Sequence, residues 1–147
     1  MQKPLKDPHT KPKYIYIVIL VSLLAGSAIW WFSSDDADPP QITEHTFDIG
    51  TASWMISEYP AKVLHANLFT VDIKDLQGLP IKDAVIRVKL EMLSMVCGDY
   101  DFEMIESSPG NYEGEGVPLM AGTWSATLTL ETNQQSYTIS RLLKAVH

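Results

Sequence analysis

The chain reads as an all-β protein: an immunoglobulin-like antiparallel β-sandwich preceded by one N-terminal transmembrane helix. Three observations predict this. The run from Tyr14 to Phe32 (YIYIVILVSLLAGSAIWWF) carries no charge and no proline. Beyond it, apolar and polar residues alternate over short stretches, the mark of strands with one buried and one wet face. Turn signals recur every ten or so residues, as in a sandwich of short strands. They fall at Tyr59-Pro60, Gln77-Gly78, Cys97-Gly98, Pro109-Gly110 and Ala121-Gly122.

Residues 1–13 form a short tail with Lys3, Lys6, Lys11 and Lys13 against Asp7. Residues 14–32 form the helix. At about 1.5 Å per residue it is roughly 28 Å long, close to the roughly 30 Å hydrocarbon core of a bilayer. Tyr14 and Tyr16 mark one end, and Trp30, Trp31 and Phe32 the other, as aromatic belts do. Lysines before the run and Asp35, Asp36 and Asp38 after it keep the tail in the cytoplasm. The remainder then lies outside the membrane. A cleaved signal peptide would have a shorter apolar region ending in small residues. Here bulky Trp30-Trp31-Phe32 stands at that place. Leu24-Ala25-Gly26-Ser27 resembles a lipoprotein box, but Ser27 stands where the thioether linkage requires a cysteine.

Residues 33–43 open with SSDDADPPQ and read as a short, semi-stiff acidic linker. Residues 44–147 form the domain, with about seven strands expected. Segments fall near 44–49, 52–58, 62–74, 84–93, 101–107, 111–118, 123–132 and 135–143. Phe69, Val71 and Ile73 alternate with Thr70 and Asp72. Ala84, Ile86, Val88, Leu90 and Met92 alternate with Val85, Arg87, Lys89 and Glu91. Trp124, Ala126, Leu128 and Leu130 do the same, and Tyr137 and Ile139 continue the rhythm beyond the Asn133-Gln134-Gln135 turn. About a hundred residues after the linker suffice for one small core and not for two.

After Phe32 the chain carries seven Lys and Arg against seventeen Asp and Glu. That balance argues against nucleic acid as a partner and against docking on anionic lipid by charge. No phosphate loop, HExxH or nucleophile elbow occurs, and His9, His45, His65 and His147 are scattered. A binding protein rather than an enzyme is expected. Cys97 is the one cysteine, so no internal disulfide can form. It is a buried thiol, a link in a homodimer, or a ligand.

Sulfur is the chemistry that stands out. Met92, Met95 and Cys97 end the strand that begins near Ala84, Met104 follows, and Met120 opens Met-Ala-Gly-Thr-Trp. Thioethers and thiolates are soft ligands that prefer Cu(I) to hard ions. Residues 95 and 97, if extended, share one side. They also fall out of phase with the core, at a loop mouth. The plainer reading is packing, since methionine fills irregular cores. Met92 continues the buried set of Ile86, Val88 and Leu90, and Met104 is in phase with Phe102. Asp99, Asp101, Glu103 and Glu106 read as a solvated strand face, because a Ca²⁺ cage needs tighter oxygen spacing and turn glycines.

Gly78-Leu79-Pro80-Ile81, Ala84-Val85-Ile86-Arg87-Val88, the methionines with Cys97, Pro109-Gly110-Asn111-Tyr112 and Met120-Ala121-Gly122-Thr123-Trp124 follow one another in that order. The series resembles the FixH/YtkA-like family of membrane-anchored extracytoplasmic domains. Members with a metal-like loop often carry Met-x-x-Met-x-His, and here Cys97 stands where that histidine would be. The resemblance implies copper handling in support of cytochrome oxidase maturation. A respiratory oxidase or copper transporter would then be the partner. Met95 and Cys97 would be central ligands, with Met92, Met104 or Met120 completing the site. A metal-free assembly module of a membrane respiratory complex is the alternative.

Overall fold

The computed structural model describes residues 38–95, 98–132 and 135–147, together with Ile19. The rest of the expected membrane helix lies outside the described residues. Among those described, no helix is long and apolar enough to cross a membrane.

Nine strands are present among the described residues: β1 (Ile42–Phe47), β2 (Gly50–Ile56), β3 (Ala61–Lys62), β4 (Asn67–Asp75), β5 (Val85–Met92), β6 (Tyr100–Ser108), β7 (Asn111–Gly116), β8 (Gly122–Glu131) and β9 (Ser136–Val146). They form one all-β sheet in the order β1-β2-β4-β7-β6-β5-β8-β9-β3, antiparallel throughout except where β3 meets β9. The expected strand 62–74 is broken. Asn67 accepts from Lys62 N through Oδ1 at 2.7 Å and donates to Lys62 O at 2.9 Å, pinning a turn. Leu64 sits in that turn at φ 58°.

The sheet curls strongly at β6. Residues Tyr100 to Met104 pair with β5, while Ile105, Glu106 and Ser108 pair with β7, with a register irregularity between Glu106 and Ser108. Strand β6 therefore leaves one neighbour for the other along its length. Gly114 and Gly116 make room for this crossing. A Cβ on Gly116 would stand 2.7 Å from Phe69 Cε2 and 2.8 Å from Phe102 Cε1, inside van der Waals contact.

Alternation is realised as a single core. Trp54, Ile56, Phe69, Val71, Ile73, Ile86, Val88, Leu90, Trp124, Ala126, Leu128 and Leu143 are buried on facing strands. Burying each large side chain stabilises by about 1.5–3 kcal/mol relative to exposure. Arg141 is the exception among them, only 4% exposed on β9. Its Nη1 donates to Trp54 O at 2.7 Å and to Gln41 O at 3.1 Å, and Nη2 donates to Pro40 O. The guanidinium lies 5.8 Å from the Trp54 ring centroid. Strand β9 is thus tied back to β2 and to the chain entering β1. Lys144 Nζ also meets Asp38, and Gln41 Nε2 donates to Ile56 O at 3.0 Å. Residues 38–41 are consequently bound to the domain, which forms one compact unit from Asp38 to His147.

Candidate functional site

Strand β5 ends at Met92, and the chain turns out of the sheet through Leu93, Ser94 and Met95. Leu93 N still donates to Thr123 O at 3.2 Å, so the β5–β8 ladder holds the root of this loop. Glu91, Met92, Leu93, Ser94, Met95, Gly98 and Asp99 line an open cleft of about 440 Å³. Lys89 braces it, with Nζ 2.8 Å from Glu91 and 3.2 Å from Asp99. The Lys89 ammonium and a backbone N–H hold the Asp99 carboxyl below its usual range, and Glu91 and Asp99 together raise Lys89.

The four candidate methionines do not share one place. Met92 and Met95 line the cleft, Met95 being 46% exposed. Met92 pairs across the ladder with Trp124, and its Cε lies 2.6 Å from where a Cβ on Gly122 would be. Gly122 has φ +146°, a backbone conformation that strains any other residue. Met120 is half-buried against the core, its carbonyl accepting from Trp124 Nε1 at 2.9 Å. Met92 is thus the ladder partner of Trp124, and the Met120 carbonyl holds that residue's indole N–H. Met104 is buried opposite Ile86, six residues along β5 from Met92. At about 3.3 Å per residue that is roughly 20 Å from the cleft. Cys97 lies outside the described residues. Among those described, no three His, Cys, Asp or Glu side chains gather in a metal-binding group.

The acidic face has more structure than alternation conveys. Glu103 pairs with Arg87 at 3.2 Å. Glu106 accepts from the backbone N–H groups of Asp83 at 3.0 Å and Gly110 at 2.9 Å, which holds its carboxyl below the usual range. Sequence reading missed this turn-closing role, because the two donors lie in different loops. A second depression, about 470 Å³, lies among Leu68, Glu103, Ile105, Ser107, Glu113, Gly114 and Glu115. Ile105 stands there 75% exposed.

No protein-family model matches this chain, and no curated protein does. Solved structures with a similar course of the chain include an endo-β-1,4-mannanase from Thermotoga petrophila, at 16% identity and TM-score 0.47. The match covers 70% of this chain and 21% of the mannanase, so the chain spans about a fifth of that protein. The PmoD soluble domain from Methylocystis sp. ATCC 49242 (Rockwell) matches at 11% identity and TM-score 0.48, over 72% of this chain and 97% of that one. The CARDB domain of the PF1109 protein from Pyrococcus furiosus, solved in complex with di-metal ions, matches at 14% identity and TM-score 0.39, over 69% and 98%. At these identities none of them assigns a function to this chain.

Proposed function

We propose that the protein is a single-pass bacterial envelope protein of the FixH/YtkA-like kind. Residues 14–32 hold it in the inner membrane, and its exterior immunoglobulin-like sandwich binds Cu(I) to support copper supply to a respiratory oxidase. The observation that carries this reading is that Met92 and Met95 line one open cleft. Thioethers bind Cu(I) without losing a proton, so such a site suits an exterior compartment. Cys97 belongs to the same loop and would supply the thiolate. Met120, whose carbonyl holds the indole of Trp124, the ladder partner of Met92, would be the third thioether, whereas Met104 serves the core.

A competitive titration with a chromogenic Cu(I) chelator, on the full chain in detergent under anaerobic reducing conditions, tests this. One-to-one competition that weakens at least tenfold in Cys97→Ser combined with Met95→Leu is expected. Chelator saturation unaffected by the protein would refute the copper reading.

The metal-free interaction module is favoured by one observation, Ile105 standing exposed among Glu103, Glu113 and Glu115 on the outer face. Thiol labelling separates the two readings. Rapid labelling of native Cys97 that Cu(I) protects belongs to the copper protein. Labelling only after denaturation belongs to the interaction module.

A further inference from the structure

One end of the domain gathers exposed apolar side chains on loops. The segment between β3 and β4 carries Leu64, 69% exposed, and the segment after β5 carries Leu93, 60% exposed, and Met95. The segment between β7 and β8 carries Leu119, also exposed. Strand register puts these loops together. Leu64 N donates to Pro118 O at 2.9 Å, and Leu119 Cδ1 lies 3.8 Å from a Cβ built on Gly98. The chain enters the domain at this end too, because Ile42, the first residue of β1, pairs with Met55 near the end of β2.

Lysines meet the carboxylates at this end, Lys89 serving both Asp99 and Glu91. The described carboxylate side chains carried by its loops and by the entering segment are Asp38, Glu58 and Asp99. Each meets a lysine: Asp38 with Lys144, Glu58 with Lys62 at 2.8 Å, and Asp99 with Lys89 at 3.2 Å. The opposite end also exposes two leucines, Leu76 and Leu79. Its loops carry Asp48, Lys82 and Asp83, none of them in an ion pair among the described residues.

We infer that the end bearing Leu64, Leu93 and Leu119 rests on the bilayer, with these side chains inserted among the lipid headgroups and upper acyl chains. This rests on the anchored reading of residues 14–32. The bond network from Asp38 to Gln41 leaves only residues 33–37 between the end of the apolar run and the domain. A fully extended chain of that length reaches about 20 Å. Lipid is therefore the apolar surface that this end meets first, and burial of exposed leucines at the interface is favourable. The cleft lined by Met92 and Met95 would then open at the membrane surface, toward a membrane-embedded recipient.

The test uses the full chain reconstituted in phosphatidylcholine–phosphatidylglycerol vesicles, in a Cys97→Ser background. Nitroxide labels are placed by Leu64→Cys, Leu93→Cys and Leu119→Cys, with Leu76→Cys and Leu79→Cys at the far end and Leu23→Cys in the apolar run. Oxygen and a nickel chelate serve as lipid-soluble and water-soluble relaxation agents. The oxygen-to-nickel accessibility ratio is expected to be several-fold higher at 64, 93 and 119 than at 76 and 79. Equal, water-like ratios at all five, with a lipid-like Leu23→Cys, overturn the inference and leave the anchored reading standing. Low accessibility to both agents at 64, 93 and 119 means that protein covers this end, and also overturns it. A water-like Leu23→Cys removes the anchored reading and the inference together.

Discussion

At the scale of the residue, Arg141 is a cation without a carboxylate within ion-pair distance among the described residues. Burial lowers its pKa, but an arginine keeps its proton throughout ordinary conditions. Its planar fork meets backbone carbonyls instead, which costs less than leaving those carbonyls bare. The neighbour that feels this charge is His45. Its ring packs 6.3 Å from Trp54 and bonds Thr43 Oγ1 at 3.0 Å. Burial and then the Arg141 charge lower its pKa from 6.5, against a smaller opposing effect of Glu44. The folded pKa lies below the unfolded one, so the unfolded state takes up more protons as pH falls past about 6.5. The contribution of His45 is complete above that pH and is lost on acidification through the folded pKa. Urea midpoints should fall between pH 7 and pH 5, and His45→Gln should flatten that fall. An unchanged slope in the variant would place the pH dependence elsewhere. Glu58, Glu106 and Asp99, also lowered, act only in the more acidic carboxylate range.

At the scale of the element, the β6–β7 crossing is where a small change should act most. Phe102 packs 5.2 Å from Phe69, over the backbone of Gly114 and Gly116. A methyl at 116 has nowhere to go except into two ring edges. Gly116→Ala should cost about 1–3 kcal/mol by overpacking, measured by urea denaturation. Glu115→Ala, an exposed neighbour, should be nearly neutral. A neutral Gly116→Ala would mean that β6 can shift away from β7. Strand interiors such as 69–73, 86–90 and 124–130 were legible because alternation reports which side chains face in. The break at residues 63–66 was not. Ala61, Val63, Asn67, Phe69, Val71 and Ile73 keep the same parity across it, so the period survives the turn. The signal available was Asn67 itself, an amide at a buried position. Arg141 also sat in phase, between Ile139 and Leu143, but its charge concealed that it points inward. For the candidate site, Met95 was legible as a loop residue out of phase. That Met92 pairs with Trp124, whose indole the Met120 carbonyl holds, while Met104 is carried off by the β5–β6 register, depends on pairings that period two does not encode.

At the scale of the whole molecule, the curled sheet leaves β9 and the segment entering β1 to be joined without strand pairing. Arg141 reaches across 100 residues to Gln41 and 101 to Pro40. The Asp38–Lys144 pair is exposed and adds little. The carbonyl bonds are the substantive link, and they predict a coupling. A chain of residues 42–147 lacks the Pro40 and Gln41 carbonyls but retains Trp54 O. It should be less stable than 38–147, because Arg141 then has unmet donors beside Trp54. Arg141→Met in 38–147 should destabilise as well, by leaving Trp54 O without its donor. The two changes remove the same bonds from opposite sides, so their costs should not add. In a cycle of both chain lengths with Arg or Met at 141, the double change should fall short of the sum by about 1–2 kcal/mol. Simple additivity would mean that residues 38–41 stabilise the domain only through Gln41 Nε2 and the edge of β2, and that Arg141 acts on Trp54 alone.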